Sequence, residues 1–136
     1  MDLDAEGSDA SIGSVESIHR NKTGALIAAS AISGAVIARA SDSEIRIVSN
    51  YANDLGLLFQ ITDDIIDVSQ TSESLGKTAG KDAANSKATY PAVHGLDRSK
   101  NLARELVTKI ESELTTIARP QTILADLAHF LIGRRS

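Results

Sequence analysis

Apolar residues recur at helical spacing along most of this chain, and nowhere do they alternate with polar ones as a half-buried strand requires. Residues 1–6 form a candidate helical turn closed by Gly7, and Ser8 to Gly13 reads as a loop. Ser14 is a candidate N-cap for a helix from Val15 to Ala40, with Val15, Ile18, Ala25, Leu26, Ala29, Ile32 and Val36 on its apolar positions. Gly24 and Gly34 interrupt that helix and place a bend near Thr23–Gly24. Ser41 to Glu44 has the Ser-x-x-Glu form of a capping box and opens the longest periodic stretch, Ile45 to about Val68. Ser69 to Lys87 is polar and without a period, so it reads as a surface loop of a length that usually serves function, expected to be mobile without ligand. Tyr90-Pro91 starts a short helix ending at Gly95. An amphipathic helix follows from Ser99 to about Ile117, and Pro120 suits the first turn of a last helix running to Ile132 and stopped by Gly133. The pattern predicts an all-α helical bundle.

Composition narrows the class. At 136 residues and 42% hydrophobic, the chain has the length of one domain and the apolar content of a globular one. It is rich in Ala, which favours helices packed closely together. The absence of cysteine excludes disulfides and thiolate metal sites. A net charge of −4 argues against a nucleic-acid binder. No apolar run is long enough to span a bilayer and no secretory lead is evident, so a cytoplasmic protein is expected. The opening is acidic, with Asp2, Asp4, Glu6 and Asp9, as if the chain began inside a helix.

The candidate chemistry lies between Leu55 and Val68, where the helix is apolar nearly all round and belongs inside a bundle. Asp63 and Asp67 stand four apart on one face, Asp64 is one step round, and Gln60 lies a turn earlier. Three carboxylates within five residues on such a helix repel one another unless cations, shifted protonation or a water-filled cavity relieve them. A hard divalent ion such as Mg²⁺ meets that need with oxygen ligands. A solvated acidic helix end is the plain alternative for the string alone, and the apolar flanks weigh against it. Downstream, Lys77, Lys81 and Lys87 put cations on the polar loop, able to close over anionic oxygens, although any one of them is more simply a surface charge. Gly76-Lys77-Thr78 lacks the spacing of a Walker loop. Upstream, Lys22 and Thr23 fall next to Gly24, where a loosened turn would expose a carbonyl and a hydroxyl beside a cation. His19, His94 and His129 have no partner at ligand spacing and read as structural.

These residues together resemble the C-terminal half of trans-isoprenyl diphosphate synthases, the farnesyl/geranylgeranyl diphosphate synthase family. The matching pieces stand in the family's order: Asp2-Leu3 with Ala5-Glu6-Gly7; Ile18-His19 with Lys22-Thr23-Gly24; Gly56 to Gln60; Asp63-Asp64 with Asp67; Leu75 to Asp82; Lys87 to Pro91; and Arg134. The resemblance covers essentially the whole chain and implies an isoprenoid-synthase helical bundle, of which residues 1–136 are the C-terminal part of a single domain. It implies a prenyltransferase that condenses an allylic diphosphate with isopentenyl diphosphate, through Mg²⁺-assisted ionisation to an allylic carbocation and release of diphosphate, with three Mg²⁺ ions in the complete enzyme. On this resemblance Asp63, Asp64 and Asp67 are metal ligands. Lys22, Lys77 and Lys87 grip the allylic diphosphate, and Thr23 and Gln60 stabilise the cation by their dipoles. Arg134, or Arg135 beside it, lies near the isopentenyl diphosphate site.

The family's first aspartate-rich motif and its isopentenyl diphosphate Lys/Arg/His cluster are absent from the sequence. The resemblance therefore implies a chain that is inactive alone and works with the N-terminal half of the same synthase, in an assembly expected to be homodimeric. A non-catalytic subunit modulating a full-length synthase is the alternative, weakened by the retention of charges at positions where they cost stability.

Overall fold

The computed structural model describes residues 20–74 and 89–134, and among these every regular element is helical. A π-helical turn, Arg20–Gly24, runs directly into α1, Ala25–Ile37. The remaining helices are α2, Asp42–Ser74; α3, Tyr90–His94; α4, Leu96–Leu114; and α5, Thr122–Gly133. The candidate turn at residues 1–6, the loop to Gly13, the N-cap Ser14, His19, Lys77, Lys81, Lys87 and Arg135 lie outside the described residues.

The α1–α2 corner forms where the sequence places it. Ser41 N–H donates to Glu44 Oε2 at 2.8 Å and Glu44 N–H to Ser41 Oγ at 3.3 Å, which is the reciprocal capping box. The Ser41 N–H, and after it the Arg119 guanidinium, hold the Glu44 carboxyl below the usual carboxylate range. Arg119, from the α4–α5 connection, reaches Glu44 Oε1 at 3.0 Å and the carbonyls of Ala38 and Arg39 at 3.2 and 3.3 Å. It thereby ties together a corner in which Arg39 adopts the left-handed conformation (φ 55°) that favours glycine.

Helix α2 is the axis of the bundle. Tyr51, Ala52, Leu55, Leu57, Leu58 and Ile61 are all buried, as its all-round apolar sequence requires. Ala103, Val107, Ile110 and Leu114 of α4 face it at spacings of four, three and four, with Ser99 one turn earlier, and Ala128 and Leu131 of α5 close the core. Tyr51 Oη donates to the Leu124 carbonyl at 3.0 Å, and the buried Asp54 meets Lys109 Nζ at 2.7 Å, so both polar groups in this layer are engaged. Helix α1 buries no side chain. Leu26 and Ile37 on α1 and Ile123, Leu127 and Phe130 on α5 are exposed apolar residues.

Several boundaries differ from the sequence expectation. Helix α2 continues through Ser69 to Ser74, and Ser69 Oγ bonds back to the Ile65 carbonyl at 2.8 Å within it. Helix α4 begins at Leu96, three residues before Ser99, whose N–H and hydroxyl both bond back to the Gly95 carbonyl. It ends at Leu114, where Thr115 and Thr116 turn their hydroxyls onto the carbonyls of Ser112 and Glu113. Pro120 precedes the last helix rather than opening it: Gln121, in a non-helical conformation, is the N-cap, and its carbonyl takes the N–H groups of Leu124 and Ala125.

Candidate diphosphate and metal site

The bend expected at Thr23–Gly24 is a π-helical turn, and the reason lies on another helix. An ideal Cβ on Gly56 of α2 would stand 2.8 Å from Gly24 Cα, so the two backbones cross in contact through two glycines. One turn further along α2, Gln60 Nε2 donates to Thr23 Oγ1 at 2.7 Å. Two residues chosen separately in the sequence, 37 positions apart, are thus a hydrogen-bonded pair. With the Gln60 amide nitrogen spent on Thr23, its carbonyl oxygen is the negative end left to the site. The backbone of Lys22 is on the same π-turn, and its side chain lies outside the described residues.

The aspartates that follow divide between two environments. Asp64 is buried and its Oδ2 accepts from Tyr90 N–H at 3.1 Å, satisfying an otherwise orphaned donor at the start of α3. Thr89 caps the same helix, its Oγ1 accepting from Ala92 N–H at 3.3 Å, and the Tyr90 ring stacks on His94 at 5.4 Å between centroids. Asp63 points the other way, with its side chain 50% exposed, and Asp67, one turn along, is exposed. Asp63 Oδ1 accepts from Arg134 Nη2 at 2.6 Å, while the Arg134 guanidinium lies 4.9 Å over the Phe59 ring. Arg134 thus sits on the acidic face of α2, 71 positions from Asp63 in sequence.

This face suits a hard divalent cation. Asp63 and Asp67 supply oxygen donors one helical turn apart, with no His or Cys grouped with them among the described residues, and Mg²⁺ is held by one or two carboxylates with waters or phosphate oxygens completing six. Among the described residues no group of three His, Cys, Asp or Glu side chains gathers where it could hold a metal ion. Asp64 stands apart from this pair by its burial and by its bond to Tyr90. His129 Nε2 lies 2.7 Å from Glu111 Oε1, away from this cluster in sequence and engaged on its own surface pair. The sequence had not singled out Phe59 or the Tyr90 N–H. Phe59 is four residues before Asp63 and so on its face, and Thr89 before a Tyr-Pro pair is a capping signal, so both were available to inspection.

A family model described as Polyprenyl synthetase matches residues 1–127. Geranylgeranyl pyrophosphate synthase 10, mitochondrial, of Arabidopsis thaliana is 39% identical over 140 aligned positions, covering 99% of this chain and 41% of that protein. A dimethylallyltranstransferase of Fischerella ambigua is 43% identical over 117 positions, covering 86% and 34%. Among solved structures, a putative farnesyl-diphosphate synthase from Marinomonas sp. MED121 superposes with a TM-score of 0.77 at 32% identity, covering 96% of this chain and 43% of that one. A Helicobacter pylori geranyltransferase, complexed with magnesium and isoprenyl diphosphate, gives 0.73 at 30% identity, covering 96% and 43%. The chain spans less than half the length of each of these relatives.

Proposed function

The chain belongs to the polyprenyl synthetase family, and on that premise we propose that it is the diphosphate-activating part of a trans-prenyltransferase joining an allylic diphosphate to isopentenyl diphosphate. Its helices are part of the all-α fold of the isoprenyl diphosphate synthases. The observation that carries the reading is the Gln60–Thr23 bond, because it sets oxygen dipoles one turn before the exposed Asp63–Asp67 face.

In this reading Asp63 and Asp67 hold Mg²⁺. Mg²⁺ held there would supply the positive charge that offsets that of a leaving diphosphate. Asp64 keeps the start of α3 against the same helix. Lys22, Lys77 and Lys87 bind the diphosphate oxygens, and Thr23 and Gln60 direct their oxygens at the positive charge that develops on carbon. A carbon–carbon bond to isopentenyl diphosphate then forms, and the proton lost from that adduct passes to the departing diphosphate. Arg134, held on Asp63, offsets that carboxylate's charge.

The exposed apolar residues Ile123, Leu127 and Phe130 recur at four and three positions along α5, a stripe that supports a packed partner. We assign that role to the preceding half of the same synthase, in a homodimeric whole. One relative is named for the mitochondrion, so family membership does not fix the cytoplasmic expectation; no described helix is long and apolar enough to cross a membrane.

Titration calorimetry of the 136-residue chain with inorganic diphosphate is the direct test. Binding should require Mg²⁺ and fall at least about tenfold in Asp63→Ala, whose fold is checked by circular dichroism. Equal affinity with chelator present, or in Asp63→Ala, refutes the metal role. Turnover of both substrates by this chain alone refutes its dependence on a preceding half.

A further inference from the structure

Asp63 is the outward carboxylate of the aspartate face, and a cation of the chain itself already engages it. Arg134 Nη2 donates to Asp63 Oδ1 at 2.6 Å, with the arginine side chain 18% exposed and the aspartate 50%. The guanidinium also lies 4.9 Å over the Phe59 ring, so its flat face is covered while its edge is bonded. On the α4 side it has no acid to turn to: Lys100 and Arg104 line a cleft with it, and no carboxylate is among the lining residues. Its place on Asp63 is nevertheless incomplete. The buried Arg134 Nε finds no acceptor among the described residues, and a donor left so is costly. The backbone beneath it is loosely built as well. Arg134 stands one residue past α5, extended at φ −61° and ψ 142°, and its N–H reaches the Leu131 carbonyl only at 3.4 Å, a long bond.

A dication and a guanidinium on one carboxylate are like charges at close range, competing for the same negative group. We propose that Arg134 is a resident counter-ion of the aspartate face: it holds Asp63 while no metal is bound and gives Asp63 up when a divalent cation binds. Metal occupancy is thereby linked to release of the α5 end from α2. The proposal rests on the assignment of Asp63 and Asp67 to Mg²⁺ made above. Before metal binds, the contact offsets one of the carboxylates that repel one another on this stretch of α2. Once a cation approaches, the same contact opposes it, since the guanidinium has to leave both Asp63 and Phe59. A salt bridge that merely oriented Asp63 as a ligand would do the reverse and raise metal affinity. The sign of the change on removing Arg134 decides between the two roles.

The test is Mn²⁺ binding to the 136-residue chain, with free Mn²⁺ counted by electron paramagnetic resonance and Mg²⁺ as the competitor. Arg134→Gln should bind Mn²⁺ at least about fivefold more tightly than the parent. Arg134→Lys, which keeps the charge, should stay closer to the parent. The gain should fade at about 1 M salt, where the screening length is about 3 Å, and should vanish in an Asp63→Asn background. Circular dichroism establishes that each variant is folded. In the parent, saturating Mg²⁺ should shift the Arg134 Nε–H resonance as the guanidinium leaves the Phe59 ring. Asp63-dependent Mn²⁺ binding that is unchanged or weaker in Arg134→Gln overturns the displacement and leaves the metal role of Asp63 standing, and so does an Arg134 resonance that Mg²⁺ leaves in place. Mn²⁺ binding that is equal in Asp63→Asn, or absent from the parent and Arg134→Gln alike, overturns the metal role and the displacement together.

Discussion

Gly56→Ala tests the backbone crossing that brings Thr23 to Gln60. Two effects oppose each other. Alanine in place of glycine inside a helix gains about 1 kcal/mol of intrinsic propensity. Against this, the new Cβ would stand 2.8 Å from Gly24 Cα, with Gly24 N at 3.5 Å and Ile27 Cδ1 at 3.8 Å. A comfortable carbon–carbon contact is about 3.5–4.0 Å, so the helices must part by most of an ångström. Overpacking costs about 1–3 kcal/mol, and the upper part of that range applies because neither Cβ nor Cα has a rotamer through which to escape. The net expectation is a loss of about 1–2 kcal/mol, read as a lower urea midpoint at unchanged slope. Thr23 is next to Gly24 and Gln60 is one turn from Gly56, so the same separation stretches their 2.7 Å bond, which the side-chain amide resonances of Gln60 report by NMR. Gly24→Ala is the control, since a Cβ there meets nothing within 4 Å and should be neutral or stabilising. Gly56→Ala as stable as the parent, with the Gln60 amide unshifted, would refute the reasoning, and so would equal effects of the two substitutions.

Other substitutions address single interactions. Asp64→Ala should cost about 1–3 kcal/mol by leaving the buried Tyr90 N–H unmatched, and should raise hydrogen exchange at Tyr90 and Ala92 above that elsewhere; uniform protection would count against the anchoring role. Arg39→Gly should raise stability by about 0.5–1 kcal/mol by relieving a positive φ, a gain visible in the melting temperature. Tyr51 is 1% exposed and burial pushes its phenol up to about 12. Its folded-state value lies above the unfolded one of about 10, so its contribution is intact below pH 10 and is lost as pH rises from 10 to 12, by on the order of 2 kcal/mol. Tyr51→Phe should remove that alkaline decline from a series of denaturation curves, and an unchanged slope would contradict the assignment.

Features encoded within a few residues were legible in the sequence. The Ser41–Glu44 box needs only its own four residues, the apolar circumference of α2 declares its central place, and Thr23 and Gln60 stood out by their neighbours. What eluded inspection is what tertiary packing decides. Gly24 looked like a loosened turn, whereas with Gly56 of α2 it makes a contact that permits two backbones to cross. Polar residues Ser69 to Ser74 looked like loop because periodicity detects an apolar stripe, and this polar stretch has none to display although it is helical. Arg134 could be placed near an anion site by its resemblance alone; that it lies on Asp63 and over Phe59 depends on where α5 docks.

The adjacency of Asp63 and Asp64 follows from helix geometry. Successive residues on an α-helix are rotated by about 100°, so two neighbouring carboxylates on a half-buried helix must face different surroundings. Here one faces outward, half exposed and shared with Arg134, and its neighbour faces inward onto the first N–H of α3. The inward carboxylate fixes the described end of the 75–88 connection beside α2, and the other end of that connection leaves α2 at Ser74, ten residues further on at about 1.5 Å per residue. Both ends of the segment that carries Lys77 and Lys87 are therefore attached to the helix that carries Asp63 and Asp67. Loss of the inward carboxylate should accordingly weaken diphosphate binding by way of this attachment, even with the outward pair untouched. Asp64→Asn, which keeps a side-chain oxygen for Tyr90 N–H, should retain more of that binding than Asp64→Ala, and the reverse order would place Asp64 among the direct ligands instead.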